Sequence, residues 1–100
     1  MPGEHGSYRI RYHPAVVKKD IPSLPKTIRA RIKKAIEQRL TIQPLRYGKP
    51  LRYSHKGHRR LRAGDWRVVY RIEEKHKKVI VLIICYRKDV YSSLSSRSEK

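Results

Sequence analysis

The sequence predicts an α+β fold, in which a small antiparallel sheet carries two N-terminal helices packed on one face. The first observation behind this prediction is a long amphipathic helix, because Ile28, Ile32, Ile36 and Leu40 recur every four residues. The second is that one predicted strand precedes the helices and three follow them. Helices grouped beside a run of strands favour a sheet covered on one face, in the order βααβββ, and a short helical tail is expected after the last strand.

The N-terminal elements follow from alternation and from the prolines. Tyr8 to Tyr12 alternates between aromatic or apolar side chains and arginines, which is typical of a half-buried strand. Pro14 is expected to begin a short helix, because proline is favoured in the first helical turn. Residues 23–25 form a second helix-start signal before the long helix, and Pro44 is expected to end it, with a loop to follow.

The C-terminal half is predicted to hold three strands. Arg59 to Ala63 and Trp66 to Glu73 flank the turn residues Gly64 and Asp65, which indicates a hairpin. The run from Val79 to Cys85 is apolar without interruption, as is typical of a central strand buried on both faces.

The charge of the chain points to a polyanionic partner. Lys plus Arg number 26 and Asp plus Glu number 8, so the formal charge is +18. Such an excess costs stability by self-repulsion and is the electrostatic signature of a nucleic-acid binder. Arg67 and Arg71 share one face of their strand, while His58, Arg60 and Arg62 share one face of the preceding strand. On a sheet face left open they would form a cationic patch for RNA, or, alternatively, a set of solvated charges.

We expect a single domain over residues 1–100, with residues about 1–6 and 95–100 flexible. No apolar run approaches a membrane span, and the N-terminus does not resemble a signal peptide. Cys85, inside an apolar run, is predicted to be a buried free thiol. These features favour a cytoplasmic protein without a membrane partner.

The sequence favours a reaction without a metal ion, and we expect no cofactor. His55 and His58 are a pair without acidic neighbours, and structural zinc requires four ligands. Metal-free RNA cleavage uses the ribose 2′-hydroxyl, a proton acceptor, cations for the charge on phosphorus and a proton donor. His58 and Tyr91 are candidates for the proton-transfer and base-contacting roles. Their structural alternatives are a surface strand histidine and a C-terminal packing anchor.

Two segments resemble a known toxin superfamily. HRRLRAGDWRVVYRI, from His58 to Ile72, is similar to the (W/Y)RLRxGDYRVxY signature of RelE/ParE toxins. CYRKDVY, from Cys85 to Tyr91, is similar to their GHRxxVY ending. The resemblance covers nearly the whole chain in order, and it implies a βααβββ toxin of a type II toxin–antitoxin pair. Members that resemble RelE cut mRNA in the ribosomal A site without a metal ion.

The resemblance implies roles for five catalytic candidates. Arg67 matches the arginine that holds the scissile phosphate, and Arg87 matches the second phosphate-stabilising arginine. Tyr91 matches the tyrosine that contacts the cleaved nucleotide. Arg60 and His58 fall where some RelE members carry catalytic lysines. These two positions depart from the family pattern: an arginine keeps the charge but is a poor base, whereas a histidine could serve as one.

Further basic side chains are expected to bind RNA around these candidates, and the second motif departs from the family at its first two positions. Cys85 and Tyr86 replace the usual Gly-His, so a histidine acting there in other members is absent here. The expected RNA-binding residues are Arg52, Lys56, Arg62, Arg71 and Lys88.

Three functions remain open from the sequence. They are a ribosome-dependent mRNA endoribonuclease, a ParE-like non-enzymatic inhibitor of DNA gyrase, and an RNA-binding member without catalysis. The expected partners are the ribosome with its mRNA and a RelB-like antitoxin, acidic and partly disordered, in a hetero-oligomer that binds operator DNA through the antitoxin. We expect the antitoxin to cover the long helix from Ile28 to Leu40, or to displace the C-terminal segment that carries Tyr91.

Overall fold

The computed structural model describes residues 7–52 and 57–97. Within those residues, five strands form one mixed sheet in the order β1-β5-β4-β3-β2. The predicted α+β class is confirmed, with helices on one face and a C-terminal helix after the last strand. The strands are β1 (Arg9–Tyr12), β2 (Lys49–Pro50), β3 (Arg59–Ala63), β4 (Trp66–Glu73) and β5 (Lys78–Tyr86).

The sheet is not wholly antiparallel, because β1 pairs with β5 in parallel register, from Arg9 opposite Lys78 to Tyr12 opposite Val81. The other pairs, β2 with β3, β3 with β4 and β4 with β5, are antiparallel as expected. The alternation in β1 predicts which side chains are buried, but it does not predict whether the strand is parallel or antiparallel to its neighbour. That direction is decided by how the two helices return the chain to the sheet.

The helices form the layer on one face of the sheet. A π-helical turn, Val16–Asp20, leads into α1, Ile21–Ser23. The long helix α2, Lys26–Ala35, continues into a second π-helical turn, Ile36–Leu40. The predicted apolar stripe is confirmed, with Ile32, Ile36 and Leu40 buried in the core between helices and sheet and Ile28 packed against it.

Pro44 begins a short helix rather than only ending the long one. The chain turns after Leu40, and α3, Pro44–Tyr47, has the proline in its first turn. The buried Tyr70 hydroxyl donates a hydrogen bond to the Pro44 carbonyl. A Cβ added at Gly48 would lie 1.8 Å from that hydroxyl, so only glycine allows the chain to pass here before β2.

The hairpin of β3 and β4 brings the first sequence motif together. Ala63 pairs with Trp66, so Gly64 and Asp65 form a two-residue turn. Gly64 has φ +62°, and a positive φ at the first turn residue is the requirement of a type II′ hairpin. This turn confirms the predicted hairpin.

A β-bulge changes the face of the sheet that the sequence predicted to be open. Val69 pairs with Ile83 but Tyr70 pairs with Val81, so Leu82 is the extra residue. Leu82 and Ile83 therefore both face away from α2 and belong to a second apolar cluster with Val69. Helix α4, Val90–Ser96, covers this cluster, so the expectation of an open face is wrong at its centre.

The end of the described chain is held to the sheet. We expected flexibility from about residue 95, but α4 extends to Ser96 and the Arg97 guanidinium pairs with the Asp20 carboxylate at 2.8 Å. The other residues expected to be flexible, 1–6 and 98–100, lie outside the described residues. Among the helices described, none is long and apolar enough to cross a membrane.

Candidate active site

Arg67 lies at the centre of a cluster of arginines on the α4 side of the sheet. It pairs with Arg62 on β3 and with Cys85 on β5, and Arg60 lies two residues from Arg62 on the same face. Arg87 follows β5 in a 3₁₀ turn, Arg87–Asp89. We call Arg60, Arg62, Arg67 and Arg87 the arginine cluster.

The Arg67 side chain is fixed by the hairpin turn. Its Nη1 donates hydrogen bonds of 2.9 Å to the carbonyls of Gly64 and Trp66. The residue is 8% exposed, which is unusual for an arginine, and its guanidinium bonds backbone carbonyls at the turn. Both of these bonds use Nη1, so a ligand could be bound through the N–H donors of Nε and Nη2.

The electrostatics of the cluster favour an anion beside Arg67. Burial lowers the pKa of Arg67 below the ordinary arginine value, and the positive charges of Arg62, Arg60 and Arg87 lower it further. The carboxylate of Asp65 opposes this shift. The cationic form is therefore destabilised here, and a bound phosphate would relieve both the repulsion and the lost hydration.

A backbone contact brings Arg87 to the hairpin. Its amide donates a hydrogen bond of 2.9 Å to the Asp65 carbonyl, which ties the second sequence motif to the turn of the first. The Arg87 guanidinium lies 6.0 Å from the centroid of the Tyr86 ring, and Tyr86 packs edge-on against Trp66 at 5.4 Å. Tyr86 thus holds a structural position where the family motif has histidine.

Tyr91 lies in the first turn of α4, one residue after the buried Val90. Its side chain is 44% exposed, whereas Val90 and Leu94 pack on the second apolar cluster. The packing anchor of the C-terminus is therefore Val90 and not Tyr91. Lys88 is exposed in the turn between Arg87 and α4.

His58 is buried rather than presented at the surface. It directly precedes β3, is 6% exposed, and its carbonyl accepts a hydrogen bond of 2.9 Å from the Leu51 amide. The structural alternative given for His58, a histidine exposed on the surface of a strand, is therefore wrong. Its role as a base stays a prediction, and a 2′-hydroxyl could reach the imidazole only through local opening.

The other predicted RNA-binding residues are dispersed. Arg71 lies four residues from Arg67 along β4, about 13 Å at 3.3 Å per residue, and with Arg11 it lines a separate pocket. Arg52 is exposed in the turn after β2. Lys56 lies outside the described residues, as does His55. Only Arg62 of this group belongs to the arginine cluster.

Sequence reasoning missed Tyr47 and Lys49. Together with Arg60 and Arg62 they line a cavity of about 160 Å³, which we call the edge groove. The two-residue strand β2 places Lys49 opposite Arg60, and a strand that short leaves no alternation to detect. The sequence feature that could have indicated this groove is Tyr47 between basic residues, in the segment Arg46 to Pro50, which also contains glycine and proline.

The helical layer carries an apolar groove of about 380 Å³. Val17, 54% exposed, lies on its wall, and Arg29 and Lys33 are among its lining residues. Its other lining residues are Tyr12, Ile21, Leu24, Ile32, Ile36 and Ile84. The groove therefore combines apolar contact with two cations on the predicted antitoxin-binding helix.

The donor set favours charge stabilisation. No group of three or more His, Cys, Asp or Glu side chains that could hold a metal ion occurs within residues 7–52 and 57–97. Several arginines, one fixed by carbonyls, can bind a phosphate through paired hydrogen bonds and stabilise charge that develops on it.

The chain matches a family model described as the ParE toxin of a type II toxin–antitoxin system, parDE, over residues 10–91. The match spans most of the chain, so this protein belongs to the RelE/ParE superfamily of type II toxins, as the two motifs predicted.

Two relatives and one solved structure from Mycobacterium tuberculosis support this assignment. Toxin RelG is 34% identical over 84 residues, covering 84% of this chain and 95% of RelG. Toxin RelE is 36% identical over 83 residues, covering 80% of this chain and 86% of RelE. In the crystal structure of the toxin–antitoxin complex RelBE2, the matching chain superposes with a TM-score of 0.74 at 33% identity, covering 81% of this chain and 99% of that one.

Proposed function

We propose that this protein is a ribosome-dependent mRNA endoribonuclease that cleaves mRNA in the ribosomal A site by attack of the ribose 2′-hydroxyl, without a metal ion. The observation that carries the proposal is the arginine cluster, in which Arg60, Arg62 and Arg87 converge on the buried, turn-fixed Arg67. Burying an arginine among like charges costs stability, and a phosphate bound at Arg67 would offset that cost.

Arg67 is proposed to hold the scissile phosphate through Nε and Nη2, while Nη1 stays on the turn carbonyls. Arg87 and Arg60 stabilise the charge that builds on phosphorus as the 2′-oxygen attacks. The P–O5′ bond then breaks, which leaves a 2′,3′-cyclic phosphate and a 5′-hydroxyl. A proton leaves the 2′-oxygen and another reaches the 5′-oxygen.

The proton-transfer residues belong to the same proposal. His58, which directly precedes β3 and lies two residues before Arg60, is proposed as the proton acceptor, reached by local opening around its buried side chain. The exposed Tyr91 is proposed to stack on the cleaved nucleotide. Arg52, Arg62, Arg71 and Lys88, with Lys56 outside the described residues, are proposed to bind RNA phosphates.

The test is primer extension on an mRNA in a purified translation system, comparing the wild type with Arg67→Ala. We expect ribosome-dependent cleavage that falls at least about 100-fold in the variant, the usual cost of removing one anion-stabilising donor. Arg31→Ala, which removes an exposed guanidinium from α2, is the matched control and should cleave normally.

Arg67→Ala should remain folded, because the substitution removes a side chain whose cationic form the fold destabilises. Circular dichroism and thermal unfolding should therefore match those of the wild type, or show a slightly higher midpoint. A variant that loses cleavage only because it unfolds would sink the proposed role. So would a wild type that is folded yet leaves mRNA intact on ribosomes.

ParE-like inhibition of DNA gyrase is the second candidate, because the matching family model carries the ParE description. It predicts inhibition of supercoiling and no cleavage of mRNA. A supercoiling assay on the same preparation discriminates the two functions, and inhibition that survives Arg67→Ala would favour gyrase.

The proposed partner is an acidic, partly disordered, RelB-like antitoxin, since the similar chain of Mycobacterium tuberculosis was solved in a toxin–antitoxin complex. Its apolar side chains would fill the apolar groove, with acidic side chains beside Arg29 and Lys33. A second proposed contact replaces α4 on the sheet, and the assembled hetero-oligomer would bind operator DNA through the antitoxin. An antitoxin that binds equally tightly after its acidic residues are neutralised would contradict the charge part of this proposal.

A further inference from the structure

The edge groove adjoins the arginine cluster but is a separate feature. Arg60 and Arg62 line it from β3, Lys49 from β2, and Tyr47 from the end of α3. The same two arginines lower the pKa of Arg67 by their charge, so the groove opens beside the proposed phosphate site.

Tyr47 presents an aromatic surface at this edge. The residue is 47% exposed, and the Arg39 guanidinium lies over its ring at 5.8 Å from the centroid. One face of the ring therefore has a cation packed on it, which restrains the ring, and the ring also lines the groove. The opposite face is the one that a planar ligand can cover.

The charge of the groove defines the class of ligand. Among residues 7–52 and 57–97, those that line it include three cations and no carboxylate. An aromatic face beside several cations is the arrangement that binds single-stranded RNA, in which a base stacks on the ring and phosphates meet the cations. An acidic peptide would use the cations but would leave the aromatic face without a matching group.

We propose that the edge groove is a nucleotide subsite, in which Tyr47 stacks on the base that neighbours the scissile phosphate while Lys49 and Arg60 contact its backbone. This inference rests on the proposed function, since it uses Arg67 as the phosphate site. It adds a second stacking residue, on the opposite side of the arginine cluster from Tyr91, and it makes Tyr47 a substrate-positioning residue.

The test measures binding of a short fluorescent RNA whose 2′-hydroxyls are methylated, so that it cannot be cleaved. Tyr47→Ala should weaken binding by about 5- to 150-fold, the range for loss of one stacked base. Tyr47→Phe keeps the stacking ring and should bind like the wild type. Leu45→Ala, at another exposed position of α3, is the matched control and should also be unchanged.

An abasic scan locates the stacked base. Removing one particular base should weaken binding to the wild type but not further weaken binding to Tyr47→Ala, because both changes remove the same contact. Equal losses in both proteins at every position would overturn the subsite. So would unchanged RNA binding by Tyr47→Ala together with weakened antitoxin binding, which would assign the groove to the antitoxin.

The two proposals fail in different ways. Wild-type protein that binds the methylated RNA with this coupling, yet cleaves nothing on ribosomes, would remove the proposed activity and keep the subsite. Wild-type protein that cleaves on ribosomes, with Tyr47→Ala showing the same kcat and KM, would keep the activity and remove the subsite.

Discussion

Arg67 departs from the usual rules for arginine, and this departure is the main reason to propose the arginine cluster as the functional site. Charged side chains are almost never this buried without a paired charge, yet Arg67 is 8% exposed and the charges nearest it are mostly positive. Two turn carbonyls satisfy part of the guanidinium. Local conflicts of this kind are expected where a fold is adapted to bind a ligand.

At the scale of one residue, Cys85 leads to a prediction about stability and pH. The residue is buried next to Arg67 on the neighbouring strand. Burial raises the pKa of the Cys85 thiol to about 11, so the folded protein holds the proton more tightly than the unfolded chain does. The contribution to stability is present below about pH 9 and is lost as pH rises towards about 11, by roughly 2 kcal/mol.

The measurement is urea unfolding of the wild type and Cys85→Ala across this pH window. Burial also raises the pKa of Tyr12 and Tyr70, and these tyrosines are present in both proteins. The free energy of unfolding should therefore fall with rising pH in both, but more steeply in the wild type, because only the wild type also has the Cys85 thiol. Parallel pH profiles would show that the thiol is not shielded as the structure indicates.

At the scale of an element, the Asp20–Arg97 pair closes an edge that β1 leaves uncovered. β1 ends opposite Val81, and beyond it the Ile84 amide donates to Asp20 Oδ2 at 2.9 Å. Arg97 Nη1 donates to the Leu82 carbonyl at 2.9 Å and to Asp20 at 2.8 Å. The pair therefore substitutes for a missing strand and fixes the end of α4 to the helical layer.

Arg97→Ala is expected to destabilise the protein by about 2–3 kcal/mol, because it leaves a mostly buried carboxylate and carbonyl without their donor. Amide exchange at Ile84 should become faster, as measured by hydrogen–deuterium exchange. Lys88→Ala removes an exposed cation from the same C-terminal segment and should change neither quantity. Equal effects of the two substitutions would mean that the ion pair has no special role.

The same variant tests the second antitoxin contact. If the antitoxin replaces α4 on the sheet, loosening the end of α4 lowers the cost of displacement, so Arg97→Ala should bind the antitoxin more tightly. Unchanged or weaker binding would favour the apolar groove as the antitoxin's main contact.

At the scale of the whole molecule, the formal charge of +18 makes salt the simplest probe of the target. The logarithm of ribosome affinity should fall linearly with the logarithm of salt concentration, with a slope whose magnitude grows by about 0.7–0.9 for each phosphate that the basic side chains neutralise. Arg62→Ala should reduce the magnitude of that slope by about 0.7–0.9, the contribution of one phosphate contact. A flat salt response would favour a protein target such as gyrase.

The sequence by itself determined the elements whose signals are local. The four-residue spacing from Ile28 to Leu40 defined the long helix, Gly64-Asp65 defined the hairpin, and the apolar run ending at Cys85 defined the central strand. These predictions were correct because periodicity and turn chemistry depend on neighbours along the chain. The two motifs were enough to assign the superfamily.

Only the tertiary structure decided which strands pair, in which direction, and which side chains lie together. The parallel pairing of β1, the bulge at Leu82 and the covering of the sheet by α4 depend on partners distant in the chain. So do the burial of His58 and the edge groove, where a two-residue strand brings Lys49 beside Arg60. Long-range pairing sets register and direction, and these leave no periodic trace in the strands they join.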